Sequence, residues 1–311
     1  MEETYNFTEY NCITNNKPLY VGYSVVLIVE LILALPLNIS VLYMFIFKLR
    51  FWKAKSNMVF LFNLMLADFV LLICLPVKIY HFQQGERCSK NDTECKVMLF
   101  MLFLNRAASI AFLTVICIDR YISVVHPRKR NILQVLKQSP KISFLIWFLL
   151  LPLTVPTMLR TFECGATYSP DKDDKIDELR EIIFFTQIFI PFFILVFCTA
   201  CIVKRLQRKS VGDRGKLRRA VFAVTSVVVV FSICFLPRAA SRIAVLIIWH
   251  QDHSITQEIA AQVYDGIMCF SHIDCLLDPL IYCFCSSKFK NTYLSTIFPY
   301  FQKKVKDSEE S

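Results

Sequence analysis

Arg106 is the residue whose type and position most strongly suggest chemistry. It stands inside the apolar stretch CKVMLFMLFLNRAASIAFLT, 11 residues after Cys95. On a helix it would lie roughly 16 Å from that cysteine. An arginine at such a depth needs an anion, and its planar guanidinium binds a carboxylate through two parallel hydrogen bonds. The sequence leaves two partners open: an external carboxylate ligand, or an internal salt bridge to Asp274 or Asp68.

Two more charged positions lie in or beside apolar segments. Asp68 is near the middle of the segment 57–80, where a carboxylate is costly unless it is protonated, paired or bound to a cation. Arg120 ends another apolar segment, and the preceding Asp119 supplies an anion that can hold it. The alternative for Arg120 is that its long side chain simply extends to the membrane interface.

Membrane-spanning helices must position these residues. A chain with 55% hydrophobic residues and a mean hydropathy of +0.48 is too apolar to be soluble. Crossing a hydrocarbon core of about 30 Å takes roughly 20 residues. Apolar runs of this length occur at 21–47, 57–80, 97–122, 142–161, 182–203, 220–249 and 260–284. We therefore predict an all-α membrane protein, a seven-transmembrane helix bundle over 21–284, with an N-terminal segment 1–20 and a tail 285–311. Prolines inside the runs predict kinks that leave space for a pocket.

Lysine and arginine cluster in the loops after the first, third and fifth runs, so these loops are predicted to be cytoplasmic. Because the number of spans is odd and these loops are cytoplasmic, the N-terminus is predicted to be extracellular. The sequence thus predicts a multi-pass plasma membrane protein. The net charge of +10 reflects these clusters and does not indicate nucleic acid binding. The sequons at Asn6 and Asn91 lie on the predicted extracellular side and are predicted glycosylation sites. The sequon at Asn38 lies within the first span.

The outer half of the bundle is predicted to hold Lys78, Arg238 and Arg242 besides Arg106, more cations than nearby acids. This excess favours an external anion. An acidic peptide or a phosphate would be expected to recruit many cations near the mouth of the site, whereas one deep arginine in a Phe- and Leu-rich helix suits a carboxylate with an apolar tail. A peptide or nucleotide ligand, with Arg106 structural, is the alternative.

Four cysteines are predicted on the oxidising outer side and could pair. We expect Cys95, at the outer start of the third helix, to pair with Cys164 in the second outer loop. Cys12 and Cys88 are a further candidate pair, although spacing alone does not choose among the pairings.

The segment SSKFKNTYLSTIFPYF after the last run has aromatic and aliphatic residues at helical spacing with lysines between them. This pattern predicts a short amphipathic helix on the inner leaflet. The adjacent Cys283 and Cys285 are either palmitoylation sites or ordinary packing residues.

The chain resembles the rhodopsin-like G-protein-coupled receptors at landmarks on six of the predicted helices. The landmarks are Asn38, the L-x-x-x-D of Leu64 to Asp68, the D-R-Y of Asp119, Arg120 and Tyr121, Pro191, the C-F-L-P of Cys234 to Pro237, and the D-P-x-x-Y of Asp278, Pro279 and Tyr282. The resemblance implies that an agonist releases Arg120 and opens a cleft for the C-terminal helix of a G-protein α subunit. It makes Asp119, Arg120, Tyr121, Pro237, Asp278, Pro279 and Tyr282 the expected activation residues.

Within that family the chain is similar to the hydroxycarboxylic acid receptors and the oxoeicosanoid receptor. The similarity covers the N-R-x-x-S from Asn105 to Ser109 and the stretches LFNLMLADFVLLICLPV, ICFLP and LLDPLIYCF. It implies that Arg106 anchors a ligand carboxylate and that the partner is an inhibitory G protein. Arg242 matches a basic residue that those receptors place on the sixth helix, while Arg238 has no counterpart. His272 stands where the small-acid receptors have a ligand-contacting tyrosine.

The same resemblance implies an allosteric sodium ion, since Asp68, Ser109, Asp274 and Asp278 occupy the positions of the family's sodium site. Asp274 and Asp278 replace the usual asparagines, and three neighbouring acids favour protonation of at least one of them. The chain also has Phe235 where many of these receptors have a tryptophan, and Thr199 where a tyrosine is common.

Other classes of membrane protein fit poorly. An opsin needs a lysine in the last span, and 260–284 has none. The spans show no internal repeat of the transporter kind. No H-E-x-x-H, P-loop or nucleophile-elbow motif is present, so neither an enzyme nor a cofactor other than sodium is expected.

Overall fold

The computed structural model describes residues 14–49, 56–87, 89, 91–126, 138–154, 174–208, 214–249, 254–285 and 287–297. The helices are α1 (Lys17–Tyr43), α2 (Ser56–Gln84), α3 (Asp92–Val125), α4 (Ser139–Thr154), α5 (Asp174–Arg208), α6 (Arg214–Trp249), α7 (Ser254–Phe270), α8 (Asp274–Cys285) and α9 (Ser287–Ile297). A π-helical turn, Met44–Lys48, continues α1, and a 3₁₀ turn, Ser271–Ile273, joins α7 to α8.

Six helical segments are long and apolar enough to cross a membrane: Lys17–Lys48, Met58–Gln84, Thr93–Val125, Glu181–Gln207, Leu217–Ile248 and Ile255–Cys283. The seventh predicted span corresponds to α7, the 3₁₀ turn and α8 together. The fourth, predicted at 142–161, is the shorter apolar helix Ser139–Thr154, and its predicted end lies outside the described residues. The predicted all-α bundle is confirmed.

The helices extend beyond the apolar runs because polar residues also complete their ends. Helix α3, predicted at 97–122, begins at Asp92, where the Asn91 side chain accepts hydrogen bonds from the backbone amides of Thr93 (3.1 Å) and Glu94 (3.4 Å). Such a cap satisfies amides that the first turn leaves unpaired. Hydropathy alone therefore underestimates the length of the helix.

Helix α3 is at the centre of the bundle and packs against α2, α4, α5 and α6. Its side chains Phe112 and Ile116 are fully buried in the main core, together with Phe231 of α6 and Tyr282 of α8. The faces turned away from this core are apolar as well, and Phe144 of α4 is 73% exposed. Such outward apolar faces suit lipid and would be unfavourable in water.

The 3₁₀ turn Ser271–Ile273 interrupts the last span before α8. His272 in this turn is buried. Asp274, the first residue of α8, accepts a hydrogen bond at its Oδ1 from the backbone amide of Cys275, at 2.8 Å. An interrupted helix is tolerated within a bundle only where other groups satisfy its backbone. At this interruption, the polar side chains of His272 and Asp274 are buried in the bundle.

The predicted amphipathic helix is α9. Phe289 is fully buried, and its ring centroid lies 5.3 Å from that of Phe45 and 5.8 Å from that of Tyr282. The Tyr293 hydroxyl is 3.0 Å from Ser40 Oγ of α1. These contacts fix α9 against the end of the bundle opposite the start of α1. We call that end the inner end, after the predicted orientation, and the end at which α1 begins the outer end.

The predicted modification sites are only partly described. Cys95 is disulfide-bonded, while Cys164, Cys12 and Cys88 lie outside the described residues, as does Asn6. Asn91 is exposed and caps α3, and its glycosylation stays a prediction. Cys283 is half-buried and Cys285 buried, and their palmitoylation likewise stays a prediction.

Asn38 is fully buried in α1. Its amide donates to the carbonyl oxygens of Ala34 (2.9 Å) and Cys275 (3.0 Å). Because this amide is buried in the first span and donates twice, the Asn38 sequon is not accessible for glycosylation.

At the outer end, one carboxylate joins three parts of the chain. Asp265 of α7 accepts hydrogen bonds from the Tyr20 hydroxyl of α1 (2.6 Å) and from Arg87 Nε after α2 (2.7 Å). Burial acts to lower the pKa of Arg87, but the charge and hydrogen bond of Asp265 outweigh that effect and leave the pKa raised. The Arg87–Asp265 pair is therefore a net attraction that holds α1, α2 and α7 together.

We expect Asp265→Asn to lower the thermal unfolding temperature of the detergent-purified protein. Loss of one partner from this mostly buried pair should cost about 2 kcal/mol. That cost corresponds to a decrease of roughly 4 to 8 °C for a chain of this size. Glu258→Gln, at an exposed position of the same helix, is the matched control. Equal unfolding temperatures for the two variants would contradict the assignment.

Candidate ligand-binding site

Arg106 of α3 lies inside the bundle, as predicted, and is only 4% exposed. Its guanidinium carbon lies over two aromatic rings, 4.7 Å from the ring centroid of Phe103 and 4.6 Å from that of Phe184 on α5. Aromatic faces attract cations, and this attraction strengthens where water is excluded. The two rings therefore stabilise the position of the charge without using its N–H groups.

Those N–H groups are the unusual feature of Arg106. Its Nε and Nη1 atoms are buried and have no hydrogen-bond partner within the described part of the chain. Within the described ranges, Arg106 forms no ion pair with Asp274 or Asp68, so the internal alternative left open by the sequence is not formed. A buried donor without a partner costs about 1 to 3 kcal/mol, and more when it is charged. The arrangement can accept an anion at little further cost of reorganisation.

Arg238 of α6 is a second buried guanidinium in the same region, 3% exposed. Its Nε and Nη2 atoms have no hydrogen-bond partner in the part of the chain that the structure describes. It interacts with the Tyr264 side chain, and its positive charge acts directly on Arg106. Two like charges are thus held near each other in a water-poor interior.

Arg242, one turn further along α6, is already neutralised. It forms a two-point ion pair with Glu181 of α5, through Nη2 to Oε1 and through Nε to Oε2, the latter at 3.2 Å. Its guanidinium carbon also lies 5.8 Å from the Tyr264 ring centroid. A ligand carboxylate would have to compete with Glu181 for Arg242, so the structure distinguishes this arginine from Arg106 and Arg238.

Lys78 of α2 is buried, with Nζ 5.4 Å from the Phe82 ring centroid. Its charge acts on Glu30, a buried carboxylate of α1 whose Oε2 has no hydrogen-bond partner among the described residues. Its charge also acts on His272, whose buried Nδ1 likewise has no partner in those residues. Lys78 therefore interacts with both Glu30 and His272, and Glu30 partly compensates the charge of the lysine.

Sequence reasoning missed Glu30 and Glu181. Glu30 is the single acid of the run 21–47, and Glu181 immediately precedes the run at 182–203. An acid inside an apolar run is the signal that could have identified Glu30, because such a group needs a buried partner. Glu181 lies just outside its run, so the sequence offers no such signal for it.

The predicted sodium site contains several buried oxygen atoms. Asp68 and Asp278 are fully buried and interact with each other, and Asp274 acts on both of them. The Tyr282 hydroxyl donates to Asp68 Oδ2 at 3.3 Å, while Ser109 Oγ and both Asp278 oxygens have no hydrogen-bond partner among the residues that the structure describes.

These oxygen donors suit a hard cation, and a proton shared between carboxylates is the alternative. Among the described residues, however, no three His, Cys, Asp or Glu side chains are grouped closely enough to hold a metal. Sodium binding stays a prediction.

At the inner end, the predicted pair of Asp119 and Arg120 is present, with 3.3 Å between Asp119 Oδ2 and Arg120 Nη2. The Tyr121 hydroxyl is 3.2 Å from His126 Nε2. Pro237 and Pro279 lie within α6 and α8, where each removes one helical backbone hydrogen bond. The pair holds the arginine at the end of α3, which is the arrangement expected of a resting receptor.

An aromatic cluster replaces the missing tryptophan of α6. Phe235 is buried, and its ring centroid lies 5.0 Å from that of Phe231, which is 6.0 Å from that of Phe192 on α5. The cluster connects the middle of α6 to α5 through ring contacts. Thr199 of α5 is half-buried, with a buried hydroxyl that lacks a partner in the described part of the chain.

With this geometry in place, comparisons with known proteins identify the family. The pattern of the 7 transmembrane receptor (rhodopsin family) matches residues 19–282. The chain is 31% identical to the Mus musculus 12-(S)-hydroxy-5,8,10,14-eicosatetraenoic acid receptor, over 91% of this chain and 91% of that receptor. It is 33% identical to the Homo sapiens hydroxycarboxylic acid receptor 2 over 90% of this chain and 78% of the relative. It is 29% identical to the Homo sapiens oxoeicosanoid receptor 1 over 85% of this chain and 69% of that receptor.

The chain belongs to the rhodopsin family of seven-transmembrane receptors. It is a multi-pass membrane receptor and not an enzyme, and its family implies a G protein and a small ligand as partners. Within the family it is similar to the hydroxycarboxylic acid and oxoeicosanoid receptors, as the sequence motifs indicated.

We expect Asp119→Asn to raise basal G-protein activation. The partly exposed pair should stabilise the resting state by about 1 kcal/mol, so its loss should shift the resting-to-active ratio roughly fivefold. Ligand-independent G-protein dissociation, normalised to surface expression, measures the effect, with the exposed Glu178→Gln as control. Unchanged basal signalling in Asp119→Asn would show that the pair does not restrain activation.

Proposed function

We propose that this chain is a plasma membrane receptor for an extracellular carboxylate, either a hydroxycarboxylic acid or an oxo- or hydroxy-fatty acid, and that it signals through inhibitory G proteins. The observation that carries the proposal is the buried Arg106, whose Nε and Nη1 atoms have no hydrogen-bond partner among the described residues. Arginine stays protonated at all physiological pH values, so the site has a permanent positive charge. A carboxylate matches its planar donors better than any other common organic anion except phosphate.

The surroundings of Arg106 support a carboxylate attached to an apolar chain. The rings of Phe103 and of Phe184 on α5 lie against its guanidinium, and Leu102, one helical turn earlier on α3, is buried. Ligand sites that are mostly apolar with a few oriented polar groups suit amphipathic small molecules. The names of the three relatives are consistent with such a ligand, since they specify a hydroxylated eicosatetraenoic acid, a hydroxycarboxylic acid and an oxoeicosanoid.

The alternative, a peptide or nucleotide ligand with a structural Arg106, needs an internal partner for this arginine. None is formed among the described residues, which favours the carboxylate. The inhibitory G-protein class is supported by the family resemblance, and the outward N-terminus by the basic loops between the helices.

We expect a carboxylate to inhibit cyclic AMP formation in cells that express this chain, and we expect Arg106→Gln to lose that response. The probes are 3-hydroxybutanoate, 3-hydroxyoctanoate and 12-hydroxyeicosatetraenoate. Removing the guanidinium should cost at least about 3 kcal/mol of binding free energy, which is a loss of potency of more than about 100-fold.

Arg106→Lys is the matched variant for this experiment. It keeps the charge and loses the planar pair of donors, so we expect an intermediate loss of roughly tenfold. Surface expression is measured for each variant with an N-terminal epitope tag. A carboxylate that acts equally on the wild type and on Arg106→Gln would refute the anchor, and inactivity of every carboxylate would favour the peptide or nucleotide alternative.

A further inference from the structure

The site contains one more unmatched cation than a simple carboxylate requires. Arg242 is neutralised by Glu181, and Glu30 partly compensates Lys78. Arg106 and Arg238 remain, and each has two buried nitrogen atoms without a hydrogen-bond partner in the described part of the chain. Both side chains are buried, α3 packs against α6, and the charge of Arg238 acts on Arg106, so the two guanidiniums belong to one site between these helices.

Asp274 does not remove the excess charge. Its charge acts on Arg238, but the two side chains form no ion pair, and Asp274 Oδ1 is engaged by the Cys275 backbone amide at 2.8 Å. Asp274 also interacts with Asp68 and Asp278. It is thus shared with this group of carboxylates, and Nε and Nη2 of Arg238 have no hydrogen-bond partner among the described residues.

A ligand with one carboxylate would neutralise one guanidinium and leave the other charge buried. An unmatched charge in a water-poor interior is strongly unfavourable, and repulsion between like charges adds to that cost. A neutral hydroxyl or oxo group could accept a hydrogen bond from Arg238 but could not cancel its charge.

We propose that this receptor binds a dianionic ligand, a chain with two carboxylates or with a carboxylate and a second acidic group. Arg106 holds one anionic end, and Arg238 holds the other. The inference rests on the proposed carboxylate function and narrows its ligand class. Arg238 is then the residue that selects dianions over monocarboxylates.

The test compares acids of equal chain length with one or two charged ends. The full-length receptor, purified in detergent, is heated with butanoate or butanedioate, octanoate or octanedioate, and dodecanoate or dodecanedioate. Thermal stabilisation reports binding directly and does not depend on G-protein coupling. 3-Hydroxyoctanoate is included to test whether a neutral oxygen can occupy the Arg238 position.

We expect a diacid of suitable length to bind the wild type at least tenfold more tightly than its monoacid. In Arg238→Gln, affinity for that diacid should fall at least tenfold, while affinity for the monoacid should stay within about threefold or rise. Arg106→Gln should weaken both acids. Arg218→Gln, at an exposed position of α6 far from the site, should change neither affinity.

Several outcomes would overturn the inference while leaving the carboxylate receptor intact. These are a monoacid that binds as tightly as its diacid, equal losses of both in Arg238→Gln, or an equal loss for 3-hydroxyoctanoate and the diacid. If no acid of either kind stabilises the wild type, the proposed carboxylate function fails together with the inference. The two failures are therefore distinguishable within one data set.

Discussion

The attraction between a buried positive charge and an anion governs the interior of this receptor. In the apolar bundle an unpaired charge is far more costly than at a protein surface, so each ionisable side chain needs a partner or a function. Arg242 has Glu181, Arg120 has Asp119, and Arg87 has Asp265. Arg106 and Arg238 lack such a partner among the described residues, and the proposed ligand chemistry follows from that difference.

The fold keeps Arg106 and Arg238 unpaired within the described residues by fixing the positions of the helices that carry the charged residues. Helix α3 is central, so Arg106 is buried inside the bundle, and the rings of Phe103 and Phe184 hold its guanidinium from two sides. The hydrogen bonds to Asp265 join α1 and α7 at the outer end. At the inner end, α9 packs against the bundle through Phe289. A site between such restrained helices can keep its donors oriented before a ligand arrives, which reduces the entropic cost of binding.

The spans, the family and the burial of Arg106 could be predicted from the sequence, because lipid imposes strong constraints on composition. Apolar runs of about 20 residues predicted the number and order of the spans, and the motifs around Asp119 and Asp278 predicted the family. The burial of Arg106 also followed from its position in α3.

The pairing of charges could not be predicted. Arg242 and Glu181 are distant in sequence and meet only because α5 and α6 pack side by side. The inward direction of Glu30 depends on how α1 is rotated about its axis, and an apolar run that contains a single acid does not specify that rotation. The hydrogen-bond state of Arg238 likewise depends on tertiary packing, so only the structure separates it from Arg242.

The most direct test of the central claim is to remove the charge of the ligand while the receptor stays unchanged. Once a carboxylic acid that stabilises the purified receptor is known, its methyl ester has nearly the same shape and apolar surface without the negative charge. The account predicts that the ester shifts the thermal unfolding temperature far less than the acid at equal concentration, because Arg106 would then face no anion. Equal stabilisation by ester and acid would contradict it, since apolar contacts alone would then account for binding.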